Sequence, residues 1–223
     1  STERTWDAVF RDQLGKPYPQ PKLNLFEGGV NSGCGQADSG MGPFYCPADR
    51  EVYLDASFFD DLSRRFGAPG DFAAAYVIAH EVGHHIQTVI GISAEVQKAR
   101  RASGPAQGNA LSVRQELQAD CFAGVWGHTA NRERQVLEPG DLEEALVAAT
   151  AIGDDRLQQA SSGRVTPAVP TMRNASKPAG PDAHQHQGVH HGDSTTPSAV
   201  HGSAIGTSIA PAIHSAWGRV GEG

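Results

Sequence analysis

His80-Glu81-Val82-Gly83-His84 places two imidazoles four residues apart with a carboxylate directly after the first. Residues at this spacing lie about one turn apart on a single helix face, so both rings can converge on one ion. Glu81 points about 100° round the axis, toward water bound to that ion. Zinc suits two imidazoles plus a carboxylate with one position open for water. Bound Zn²⁺ lowers the pKa of its water from about 15.7 toward about 7, and Glu81 is then placed to take the proton as general base.

Such a site lacks one protein ligand, and Glu116-Leu117-Gln118-Ala119-Asp120 offers it. The two carboxylates stand four apart, on what reads as the next long helix. Glu116 is the candidate third ligand. Asp120, one turn on, could accept the second ring N–H of His80 or His84 and fix its tautomer, as metal-binding histidines require. His85 is rotated about 100° from His84 and reads as a helix-surface or supporting residue rather than a ligand. His128 has no ligand-spaced partner and reads as a plain structural or exposed histidine.

The elements that must carry these residues follow from periodicity. Trp6, Val9, Phe10 and Leu14 recur every three or four residues, which predicts an amphipathic helix ending before Gly15. Lys22-Leu23-Asn24-Leu25-Phe26 alternates as a strand and stops at Gly28-Gly29. Residues 42–46 and 51–54, joined by Pro47-Ala48-Asp49-Arg50, read as a β-hairpin. Ser57 is a candidate cap for a short helix to Phe66, and Asp71 for a long buried helix ending near Gly91. A loop over residues 103–108 precedes a helix over about 110–134, and a last helix runs from Asp141 toward Gln159. Three strands followed by helices make an α+β domain.

The 223 residues suffice for one well-buried domain, placed at residues 1–164 by a change of composition near Arg164. Residues 165–223 are rich in His, Pro and Gly without apolar periodicity and read as an irregular tail. With 18 Lys+Arg against 25 Asp+Glu, a net charge of -7 removes the electrostatic basis for nucleic-acid binding. No apolar stretch approaches the roughly 20 residues a membrane-spanning helix requires, so membrane attachment would need an anchor absent from this chain. Of the three cysteines, Cys34 and Cys46 flank the hairpin and form the natural pair. Their bridge implies an oxidising compartment; two reduced thiols in a cytoplasmic protein is the alternative. Cys121, within a helix, reads as a buried small residue.

These residues resemble the bacterial neutral zinc metallopeptidases, often membrane-anchored proteins facing outside the cytoplasm. The resemblance covers roughly residues 21–164. It rests on Cys34-Gly35, on Gly42-Pro43-Phe44-Tyr45-Cys46-Pro47-Ala48-Asp49, on Val52-Tyr53-Leu54-Asp55, on the run from Tyr76 through Gln87, and on Glu116 through Gly124. It implies a zincin-like fold, Zn²⁺ held by His80, His84 and Glu116, a catalytic Glu81, a peptide or protein substrate and an extracytoplasmic location. The Glu116-to-Asp120 spacing is similar to that of thermolysin-type enzymes. The family pattern continues into a His-Gly-Ser/Thr motif, echoed here by His201-Gly202-Ser203, which makes His201 a candidate transition-state donor. No cysteine follows Cys121, and a reading-frame change that replaced the original end would explain the departure. Zinc-dependent peptide hydrolysis is the first functional expectation. A noncatalytic zinc protein, structural, partner-binding or a decayed enzyme, is the second. Glu81 favours the first, because a structural site needs ligands but no base.

Overall fold

The computed structural model describes residues 1–38, 41–64 and 70–153. Helix α1 (Thr2–Val9) runs into a π-helical turn (Phe10–Leu14). Five strands follow: β1 (Lys22–Phe26), β2 (Gly29–Ser32), β3 (Gly35–Asp38), β4 (Phe44–Cys46) and β5 (Glu51–Asp55). Helices α2 (Ala56–Arg64), α3 (Asp71–Val89), α4 (Ile92–Ala102), α5 (Pro105–Arg134) and α6 (Asp141–Ile152) complete the described order. The architecture is α+β, with small N-terminal sheets and a helical core.

Helix α3 is the central element because both of its sides are apolar, the signature of a buried helix. Ala73, Tyr76 and Val77 pack with Ala123, Trp126 and Ala130 of α5 and with Ala145, Ala148 and Ala151 of α6. One turn further, Val82 and Ile86 join Phe122 of α5 and the N-terminal residues Trp6, Phe10 and Tyr18. The two long helices approach so closely at Gly83 that a Cβ there would lie 2.9 Å from the Ala119 carbonyl oxygen and 3.0 Å from its Cα. A side chain at Gly83 would drive the helices apart. The glycine is therefore a packing requirement of the segment that also carries His80 and His84.

One sheet has the order β1-β5-β4, with β5 parallel to β1 and antiparallel to β4, so β4 is an outer strand. The β4–β5 pair is the hairpin expected from residues 42–54. Strand β1 ends at Phe26, before Gly28-Gly29 as expected, and a second, two-stranded sheet that the sequence did not indicate pairs β2 with β3. Its strands are short, Gly-containing and largely exposed, so they lack the apolar alternation that marks a strand in sequence. The Asp49 carboxylate accepts the Gly33 N–H at 2.6 Å and the Tyr53 hydroxyl at 2.7 Å. The Cys34–Cys46 disulfide spans 12 residues and ties the β2–β3 turn to the end of β4.

Helix boundaries differ from expectation where capping is concerned. Asp55, not Ser57, caps α2: its Oδ1 accepts both the backbone N–H and the hydroxyl of Ser57 at 2.9 Å. Gly70 is the N-cap of α3, and Asp71 is its first residue, where its charge favours the positive end of the helix. Helix α5 begins at Pro105 rather than near residue 110, because proline is well suited to a first helical position. Helix α4 was not foreseen, since Val96 is its one fully buried anchor and periodicity has little to register. It starts directly after α3 because Gly91 takes a left-handed φ of 90°. The expected helix ends at Phe66 and Gln159, the tail at residues 165–223 and His201 lie outside the described residues. Among the described residues no helix is long and apolar enough to cross a membrane.

Gly83→Ala tests the α3–α5 contact. Alanine gains about 1 kcal/mol of helix propensity over glycine, but overpacking costs about 1–3 kcal/mol. The expected outcome is a lower denaturant midpoint together with weaker zinc uptake; an unchanged midpoint and unchanged uptake would show that the two helices need not approach this closely.

Candidate metal centre

The close α3–α5 approach brings Glu116 under both imidazoles. Glu116 Oε2 lies 3.3 Å from His80 Nε2 and 3.3 Å from His84 Nε2, and one ligand atom from each of the three residues falls within 4.8 Å of the others. His80 is buried, while His84 and Glu116 are partly exposed.

The other ring nitrogens are held by different partners. His80 Nδ1 donates to Asp120 Oδ1 at 2.9 Å, and the same oxygen accepts the Tyr76 hydroxyl at 2.6 Å. The sequence left open which histidine Asp120 serves; the structure pairs it with His80. His84 Nδ1 lies 3.0 Å from Gln87 Oε1. The Gln87 amide is itself oriented, because its Nε2 donates to the Gln115 carbonyl at 2.7 Å and to Gln118 Oε1 at 3.1 Å. A backbone carbonyl can only accept, so the Gln87 oxygen faces His84 and takes its Nδ1–H. With Nδ1 of each ring held by its own partner, Nε2 is the nitrogen that both histidines turn toward Glu116.

Sequence reasoning assigned no role to Gln87 or Tyr76. A signal existed for Gln87: it stands three residues after His84, within reach on the same helix face. Nothing in the sequence marks Tyr76, which sits one turn before His80 and meets Asp120 only through the α3–α5 packing.

The electrostatics favour a cation between these side chains. Burial works against charge on His80, but its hydrogen bonds to Asp120 and then Glu116 outweigh that and hold its pKa up at about 10. His84 moves in the same direction: burial opposes its charge, and Glu116 overcomes the effect. Burial would raise the Glu116 pKa, yet the two histidines pull it well below the usual carboxylate range. An ionised carboxylate, two imidazoles with fixed tautomers and a compact donor set of two nitrogens and one oxygen fit Zn²⁺.

Glu81 is 5% exposed and is not one of the convergent groups. Burial raises its pKa despite the opposing pull of His80 and His84, and its carboxylate accepts a hydrogen bond from the Tyr45 backbone on β4. A carboxylate moved toward neutrality is a better proton acceptor than one in water.

The remaining histidines and the free cysteine do not join the cluster. His85 is 1% exposed, buried rather than on the helix surface. Its Nε2 donates to the Pro19 carbonyl at 2.5 Å, and its Nδ1 lies 3.2 Å from the Tyr45 hydroxyl. Burial pulls its pKa below the usual value, against the opposing effect of the Pro19 hydrogen bond. His128 is exposed. Cys121 is also exposed, contrary to the expectation of a buried thiol. Ala119, Phe122, Ala123 and Trp126 fill the inner face of α5, and position 121 is turned outward from them.

The fold and this centre belong to a known class. The family described as "Putative neutral zinc metallopeptidase" matches residues 1–194, further toward both ends than the motifs alone indicated, and the chain belongs to this family. Its relatives include "Uncharacterized protein YpfJ" of Escherichia coli (strain K12), 59% identical over 167 residues, which cover 75% of this chain and 58% of the relative. "Uncharacterized protein Rv2575" of Mycobacterium tuberculosis is 44% identical over 188 residues, covering 79% of this chain and 62% of the relative. The matched part thus spans about three fifths of these curated relatives. No solved structure matches the chain.

Gln87→Ala leaves the three convergent groups in place but frees the His84 ring. Loss of a partner of this kind typically costs about 10–100-fold in metal affinity. Competitive zinc titration should show a loss of that size, and an unchanged affinity would remove Gln87 from the account.

Proposed function

We propose that this chain is a zinc-dependent peptidase acting on peptides or unfolded protein segments. The observation that carries the reading is Glu81: a buried carboxylate beside the histidines, held apart from their point of convergence, with a raised pKa. A site that only stabilised a fold would have no use for such a group, whose burial is costly.

His80, His84 and Glu116 would hold the zinc, and Asp120 and Gln87 would fix the two rings. The ion supplies Lewis acidity, polarising a carbonyl oxygen and making water easier to deprotonate. Glu81 takes the proton as the water oxygen bonds to the carbonyl carbon, then delivers it to the nitrogen that leaves as the C–N bond breaks. Strand β4 is outermost in its sheet, and the edge groups left beside the Tyr45–Glu81 bond suit an extended peptide added as a further strand. This mode of binding is compatible with cleavage within a chain. The Cys34–Cys46 bridge supports an extracytoplasmic location, in the periplasm or at the cell surface.

Glu81→Gln separates catalysis from metal binding. The variant should keep one zinc per chain by elemental analysis, while hydrolysis of an unfolded protein falls by the roughly 10²–10⁴-fold typical of a lost acid–base group. Stoichiometric zinc in a wild-type protein that cleaves nothing would favour a noncatalytic zinc site instead.

A further inference from the structure

Glu81 and His85 stand four residues apart on α3 and therefore face the same way, about one turn from each other. Both meet Tyr45. The backbone of Tyr45 bonds to the Glu81 carboxylate, and its hydroxyl lies 3.2 Å from His85 Nδ1. The His85 ring is fixed in turn. Its Nε2 must donate to the Pro19 carbonyl, which can only accept, so Nδ1 is left to accept the Tyr45 O–H. Tyr18 packs edge-on against the ring with centroids 5.8 Å apart, and Tyr45 does so at 5.4 Å. A buried histidine with both nitrogens satisfied by two separate chain segments is a rigid anchor.

We propose that His85 and Tyr45 are positioning residues for the general base: the His85–Tyr45 side-chain bond sets the outer strand β4 at the height where the Tyr45 peptide N–H reaches the Glu81 carboxylate. The inference rests on the peptidase reading for its catalytic consequence, though not for the clamp itself. Strand β4 has only three residues and one strand neighbour, so its own ladder holds it weakly. Clamping one residue at its peptide and at its hydroxyl fixes both the position and the tilt of the strand. Glu81 then faces its proton donor in one orientation, and misplacement of a reacting group by about 1 Å can cost 10²-fold in rate.

Tyr45→Phe removes a single oxygen and leaves the ring and the peptide N–H. In the zinc-loaded full chain, hydrogen exchange at the residue-45 amide should accelerate about tenfold or more, with zinc content unchanged. Hydrolysis of an unfolded protein should lose about tenfold in kcat with KM within about twofold, the pattern of a displaced base rather than weakened binding. His85→Gln should move both readouts the same way, and the double variant should lose less than the sum of the two single effects, because the His85–Tyr45 bond is common to both while the bond from Thr88 to the Tyr45 hydroxyl is lost only in Tyr45→Phe. Unchanged exchange at residue 45 in Tyr45→Phe would overturn the clamp. Faster exchange with unchanged kcat would overturn its role in catalysis. Faster exchange in a zinc-loaded protein whose wild type cleaves nothing would confirm the clamp and reject the peptidase reading.

Discussion

The site depends on the contact between Gly83 of α3 and Ala119 of α5. His80 and His84 flank that glycine on one helix, while Glu116 and Asp120 flank that alanine on the other. With a spacing set by backbone rather than side chain, a short carboxylate can reach both imidazoles at once. A side chain at Gly83 would have to widen that gap. The same contact brings Gln87 to the Gln115 carbonyl and Asp120 to the Tyr76 hydroxyl. Metal geometry and helix packing are therefore one constraint.

Burying this many polar groups is unfavourable unless each finds a partner. Here the partners form two short relays, Tyr76 to Asp120 to His80, and Gln115 to Gln87 to His84. Each ends by fixing the tautomer of a histidine, so the groups that remove the burial penalty also aim the ring nitrogens. Glu81 is handled differently. It takes one backbone hydrogen bond and keeps a raised pKa. A neighbouring buried histidine, His85, ties the strand that supplies this bond to the N-terminal segment through Pro19.

Much of this was legible before the fold was known. The spacing from His80 to His84 and from Glu116 to Asp120 is helical, and the apolar residues around the first pair marked α3 as buried. The hairpin and the Cys34–Cys46 pairing followed from turn residues and proximity in the chain. What escaped notice depends on contacts distant in sequence. Tyr76 meets Asp120 across 44 residues, and His85 meets Pro19 across 66. Sheet β2–β3 and helix α4 bury too little apolar surface to imprint a period, and the cap at Asp55 was obscured by the equally suitable Ser57 beside it.

The central claim is that α3 and α5 together hold one zinc through two imidazoles and a carboxylate. Zinc-edge X-ray absorption of the stoichiometrically loaded protein tests it most directly. The account predicts a first shell of nitrogen and oxygen only, with two imidazole nitrogens at about 2.0–2.1 Å. A sulfur scatterer at about 2.3 Å, which would place the exposed Cys121 at the metal, or a shell with a single imidazole, would contradict it.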